Sequence, residues 1–149
     1  MWPVIGMALD RLRDIQRRKR WDRKRATGRR GEDIAHRYLA RQGLKIASRN
    51  FRLASGEGEA DIVAWDGETL VFVEVKTRSS EEFGPPERGL TPEQHRRLLR
   101  VARNYSLKST IPWKSVRFDT ISVVLANPPK VEHSMGSLES SLWKQSAAA

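Results

Sequence analysis

Two stretches of the chain alternate between apolar and polar residues, 59–65 (EADIVAW) and 69–76 (TLVFVEVK). A period of two marks strands whose faces meet different surroundings. The Asp66-Gly67 pair between them is the signal for a tight hairpin turn. Upstream, LKIASRNFRL (44–53) reads as another strand, ended by SGEG, and VRFDTISVVL (116–125) reads as the last one. Helical spacing takes over elsewhere. Ile5, Ala8, Leu9, Leu12 and Ile15 recur three and four apart, which predicts a short amphipathic helix at the start. A second helix is expected from near Gly31 to Gly43, with Ala35, Tyr38 and Leu39 inward and Gly43 as its stop. Thr91-Pro92-Glu93-Gln94 opens a third, with Thr91 as N-cap, Pro92 in the first turn and Gln94 closing a capping box. Its apolar side is Leu98, Ala102 and Tyr105, while Arg96, Arg97, Arg100 and Arg103 lie elsewhere on its surface. Strands with helices on either side predict an α/β domain built on a mixed β-sheet.

The hairpin can be laid out residue by residue. A two-residue Asp66-Gly67 turn sets Trp65 opposite Glu68, Asp61 opposite Phe72 and Glu59 opposite Glu74. Opposed residues share a sheet face, as do residues two apart. Glu59, Asp61, Glu74 and Lys76 then share one face, with Asp61 diagonal to Glu74, and Val71, Val73 and Val75 take the other. A loop of even length keeps this grouping, and an odd one breaks it.

A chain of 149 residues is expected to form one domain. It contains no cysteine, which excludes disulfides and thiolate metal sites. No apolar run approaches the roughly 18 residues of a membrane span, and MWPVIGMALDRLRD makes a poor signal peptide, so a soluble cytoplasmic protein is expected. The net charge of +10 is concentrated at one end. Residues 1–30 hold eleven Lys/Arg against three Asp, a net +8, and the other 119 residues carry only +2. Such a segment suits a polyanion such as nucleic acid, through release of counterions; a solvated arm that aids solubility fits it equally. The expected divisions are a basic, partly helical extension over 1–27, a folded domain over 28–134 and a loose polar tail over 135–149.

Acids on a hairpin face that also carries Leu70 and Phe72 have a chemical use. Carboxylate oxygens suit hard cations, and Mg²⁺ takes one or two protein carboxylates, completing its shell with water and substrate phosphate. Asp61, Glu74 and Glu59 are therefore candidate ligands for Mg²⁺ or Mn²⁺, which would polarise a phosphodiester and acidify a water. Lys76, two residues past Glu74, would stabilise the charged transition state. The competing reading is a solvated face with one compensating lysine. The apolar run VFVEV, which reads as buried on both sides, favours the site.

The set Asp61…Glu74-Val75-Lys76 resembles the PD-(D/E)xK nuclease signature. The longer pattern is more specific: GRRGEDIAHRYLARQGLKIASRNFR, GEADIVAWDGETLVFVEVKTRS, FGPPERGLTPEQHRRL and RFDTISV. Together these resemble the YraN family of small bacterial proteins over about 28–134, a family regarded as nuclease-like and distantly similar to archaeal Holliday-junction resolvases. The resemblance implies a restriction-endonuclease-like core, with Asp61 and Glu74 as metal ligands, Lys76 as the catalytic lysine and Glu32 as a glutamate contributed by the helix. Glu32 shares a helical stripe with Ala35 and Leu39, though a first-turn acid also serves the helix dipole. Ala60 and Gln94 depart from the family pattern, which more often has a larger aliphatic residue and a lysine there.

Candidate phosphate contacts are Arg29 and Arg30 at the end of the arm, Thr77 and Arg78 beyond the lysine, and Arg96 and Arg97 on the third helix. His36, His95 and His133 lack metal-ligand spacing, and Asp119 reads as a structural hydrogen-bonding group or a support for the site. The functional expectation is a metal-dependent endonuclease acting on DNA, including branched or structured DNA, with a homodimer expected for a symmetric junction. The alternative is a non-catalytic nucleic-acid-binding or adaptor protein that keeps the fold.

Overall fold

The computed structural model describes residues 2–80 and 90–137, with side chains from Gly6 onward. Ile5 of the N-terminal apolar stripe, the stretch 83–89 of the family pattern and the tail over 138–149 lie outside the described side chains or residues.

The described chain runs helix α1 (Trp2–Arg41), strands β1 (Lys45–Arg52), β2 (Glu59–Asp66) and β3 (Thr69–Ser79), helix α2 (Pro92–Lys108), then β4 (Val116–Leu125) and β5 (Lys130–Ser134). The strands form one sheet in the order β1-β2-β3-β4-β5. Neighbours are antiparallel except β3 and β4, which α2 separates along the chain and which pair in parallel. Alternation sorts the side chains into two cores. Val63, Leu70, Phe72 and Phe118 pack against Leu98, Val101 and Ala102 of α2, while Ile62, Ala64, Val71, Val73 and Ile121 pack against Ala35 and Leu39 of α1. The mixed sheet is thus flanked by a helix on each face, consistent with a restriction-endonuclease-like core. The Thr91 capping box forms as expected, its hydroxyl accepting from the Gln94 amide and the Gln94 side chain accepting from the Thr91 amide.

Three expectations change. First, the short N-terminal helix, the basic arm and the helix from Gly31 are one element of 40 residues, about 60 Å long at 1.5 Å per residue. Residues 6–26 of it are exposed throughout and only its last part packs on the sheet, so the helix runs without a break across the 27/28 boundary. Arg, Lys and Ala are strong helix formers, and they carry the helix through Gly28 and Gly31.

Second, the hairpin turns one residue later than expected. Asp66 pairs with Thr69 and Val63 with Phe72, so the loop is Gly67-Glu68. Gly67 has φ +60° and Glu68 is not among the positive-φ residues, the pattern of a turn that requires glycine at its first central position. Asp66 is held in the strand by Arg117, at 2.9 Å.

Third, β5 extends the sheet beyond the last expected strand, and the start of the expected tail is tied down. The Gly136 amide donates to the Asp119 carboxylate at 3.1 Å and the Ser137 amide donates to the Phe118 carbonyl at 2.8 Å. Among the described residues no helix is long and apolar enough to cross a membrane.

Candidate functional site

The ladder between β2 and β3 ends at the pair Ile62–Val73. One step further, the same register sets Asp61 across from Glu74, directly rather than on the diagonal, because the turn moved by one residue and each partner by two. The shift is even, so the expected grouping of the four charged positions by parity survives. The side-chain geometry nevertheless differs. Ala60 is buried in the core against α2 whereas Ile62 is buried in the core against α1, so the alternation of β2 changes phase at Asp61. The paired strand does the same. Phe51, opposite Ala60, packs on the α2 side, and Arg49, opposite Ile62, reaches Glu32 and Asp33 of α1. Between them stands Asn50 with φ +51°. Asn is among the few side chains that accept this left-handed backbone. The local flip of both strands turns Asp61 out of the regular alternation, toward the strand beside it.

Asp61 is 7% exposed, and its Oδ2 accepts the Val75 amide of β3 at 2.7 Å. That amide therefore bonds a carboxylate in place of a strand partner. The Asp61 and Glu74 carboxyls lie close enough for each to act on the other's titration. Burial pushes Asp61 up to about 6, with Glu32 and Glu59 adding to the rise and the Val75 amide opposing it. Burial pushes Glu74 up to about 8, reinforced by Asp61 and Glu59 and opposed by the Lys76 ammonium. A like charge nearby and a dry setting both disfavour a second ionised carboxylate.

Glu32 arrives from α1, with its side chain 18% exposed and 3.7 Å from the Arg49 guanidinium. Its approach depends on Gly31. A Cβ at that position would overlap the Thr77 side chain of β3, so glycine is what lets α1 lie this close to the strand. Glu59 is near enough to repel both central carboxyls but is itself paired with Arg52 across the strands at 3.3 Å. Lys76 acts on Glu74 and on His95 of α2, whose imidazole is lowered by burial and by that ammonium.

The structure thus brings Glu32, Asp61, Glu74 and Lys76 together, with Glu59 at the margin. Among the described residues no three His, Asp or Glu side chains gather as a metal cage. Asp61 and Glu74 are the donor pair on offer, and two neighbouring carboxyls that both resist ionisation fit the chemistry of Mg²⁺, whose binding would displace a proton. An open groove of about 560 Å³ leads to the pair, lined by Arg20, Arg23, Lys24, Thr27, Gly28, Glu32, Asp61, Glu74, Val75, Thr77 and Ser79.

Of the candidate phosphate contacts, Thr77 lines this groove and Arg78 is half-buried beside it in β3. Arg29 and Arg30 are exposed on α1 but do not line it, and Arg96 and Arg97 are exposed on α2 across the sheet. The sequence reading missed Arg20, Arg23 and Lys24 as individual groove residues; a helix carried upstream from Ala35 and Leu39 at steps of three and four would have found Lys24 and Arg20. It also missed Asn50, a polar turn former in the middle of a strand pattern.

The model of the family described as "Uncharacterised protein family UPF0102" matches residues 31–123. A UPF0102 protein of Solibacter usitatus is 50% identical over 129 residues, covering 87% of this chain and 96% of its own length. One from Rhodococcus opacus is 40% identical over 110 residues, covering 72% and 92%, and one from Geobacter sulfurreducens is 41% identical over 114, covering 75% and 88%. The family match begins at Gly31 and takes in the four clustered charged positions. The chain belongs to the UPF0102 family, also called the YraN family.

Proposed function

We propose that this protein is a metal-dependent endonuclease that hydrolyses phosphodiester bonds of DNA, with Asp61 and Glu74 holding Mg²⁺ or Mn²⁺. One observation carries the reading: a buried and a half-buried carboxyl, Asp61 and Glu74, face each other across the end of a strand ladder, beside a lysine and at the foot of a groove lined with cations. When bound, the metal would supply Lewis-acid charge and a lowered water pKa. The chain's own groups do the rest. The Val75 amide fixes the Asp61 carboxylate, and Arg49 restrains Glu32 at the edge of the site. Lys76 sets a positive charge beside Glu74, where charge developing on a phosphate would be stabilised. His95, whose imidazole is lowered by burial and by Lys76, holds a competing positive charge less readily. Branched or structured DNA is the substrate that the family resemblance favours.

The test is a cleavage assay with Mg²⁺ and Mn²⁺ on linear, flap and four-way DNA, for the unaltered chain and for Asp61→Ala and Glu74→Ala. Metal-dependent cleavage by the first, lost in both variants while they stay folded, is the expected result. Nucleic-acid binding without cleavage under any condition would assign the fold to a non-catalytic binder.

A further inference from the structure

The exposed stretch of α1, residues 6–26, carries no share of either core, yet its orientation about the helix axis is fixed. Gly31, Ala35 and Leu39 are buried against the sheet at steps of four, which sets the face that the helix turns toward the domain. Carried upstream at steps of three and four, that face passes Thr27 and Gly28 and then shows Lys24, Arg20, Arg17 and Arg13. Lys24 and Arg20 do line the groove that ends on Asp61 and Glu74. Arg17 and Arg13 continue the stripe beyond it, exposed, with Arg13 within 3.7 Å of Asp10.

We infer that this stripe is the phosphate-gripping wall of a nucleic-acid groove, which holds the backbone of a strand leading into the carboxylate site. The inference rests on the nuclease reading for the identity of the polyanion. Its physical basis is separate from it. The floor of the groove is acidic, with Glu32, Asp61 and Glu74 lining it, and would repel a phosphate backbone. A row of cations one helical turn apart on the adjoining wall offsets that repulsion and draws the polyanion along one line. From Arg17 to Glu32 the helix rises about 22 Å at 1.5 Å per residue, which spans about six nucleotides at 3.4 Å per nucleotide of one strand. The arm therefore supports the substrate well to one side of the reacting phosphate and leaves the other side to the domain.

A solvated basic arm would make no distinction between faces, and α1 supplies an internal control. Arg11, Arg18 and Arg25 recur every seven residues on the opposite side of the same helix and are equally exposed. Binding of a duplex of about 30 base pairs would be measured in EDTA across a range of salt. The unaltered chain is compared with Arg17→Gln/Arg20→Gln/Lys24→Gln and with Arg11→Gln/Arg18→Gln/Arg25→Gln, which remove equal charge. The groove-side variant should lose about two to three units from the slope of log K against log salt. In the cleavage assay its KM should rise with kcat nearly unchanged, since its contacts are the same in ground and transition states. The opposite-face variant should change the slope by less than about one unit.

Equal slopes for the two variants would overturn the inference. So would stronger binding of the unaltered chain to phosphatidylserine vesicles than to the duplex, abolished by Leu12→Gln on the exposed apolar side. Absence of cleavage by the unaltered chain would remove the nuclease reading alone, because the binding contrast in EDTA is independent of turnover.

Discussion

Two buried acid centres sit in the same sheet and are treated in opposite ways. Asp119 of β4 is fully buried, and its carboxylate accepts from Arg117 at 2.9 and 3.1 Å, lies 2.8 Å from His133 Nε2 and accepts the Gly136 amide. Burial by itself would raise it, but His133, Arg117 and that amide outweigh burial and hold it below the ordinary carboxylate value. Asp61 and Glu74 receive one backbone amide and one lysine, too little to offset burial and the further acids around them, so both are pushed up. Burying an acid is therefore not the mark of a site. The mark is burial without compensation, the setting in which the proposed cation would supply the missing positive charge.

The sharpest way to break this comparison is to remove each acid in turn. Asp119→Ala leaves Arg117 and His133 without their shared anion and should cost about 3–5 kcal/mol in urea unfolding. Asp61→Ala and Glu74→Ala relieve repulsion and should leave the metal-free protein as stable or slightly more so. A large loss of stability in either of the latter would place the pair with Asp119 as scaffold.

Lys76→Met separates chemistry from assembly at the acid centre. It should lower turnover by about 10²–10³, while divalent-ion binding measured by calorimetry persists or tightens, since an opposing cation has gone. Full turnover in this variant would remove the lysine from the mechanism.

Gly31→Ala acts on only one of the two centres. The added Cβ meets Thr77, so α1 must shift off β3, at a cost of about 1–3 kcal/mol. The shift withdraws Glu32 from the site without touching Asp119. Divalent affinity should fall several-fold, and chemical shifts at His133 should stay in place. Movement at His133 would show the two centres to be coupled.

The remaining contrast is in the pH dependence, where the centres pull in opposite directions. Asp61 and Glu74 bind their proton more tightly folded than unfolded, from 3.8 to about 6 and from 4.5 to about 8. Their contribution to stability is complete below about pH 4 and is lost as pH rises through about 6 to about 8. Asp119 is lowered from 3.8, so its contribution is present above that value and is lost as pH falls through its depressed pKa. Melting without metal should thus fall between pH 5 and 8.5 in the unaltered chain, and this slope should flatten in Asp61→Asn. Saturating Mg²⁺ should reverse the trend, because binding the ion displaces the proton. A slope unchanged by Asp61→Asn would assign the pH dependence to other groups.

The alternation of polar and apolar residues by itself determined the three strands around the hairpin, the capped helix α2 and the shared parity of Asp61, Glu74 and Lys76. Period and capping chemistry are local, and any register that buries Val71 and Val73 on one face preserves them. The acids alone also pointed to this cluster of carboxyls. Tertiary structure decided what local signals leave open. Asp66-Gly67 is a valid turn pair in isolation, but Arg117, far along the chain, holds Asp66 in the strand and moves the turn to Gly67-Glu68. The flip at Asn50 and Asp61 needs two strands to bend together, and no single run of residues records it. Strand β5 carries a weak pattern, yet it is ordered by its ladder to β4 and by His133 on Asp119. Gly28 and Gly31 look like breaks in a helix, and in the fold Gly31 is instead the close approach that brings Glu32 to Asp61. Helix continuity and strand phase are settled by contacts distant in sequence, because a backbone choice that costs about 1 kcal/mol locally is readily outweighed by the burial it makes possible elsewhere.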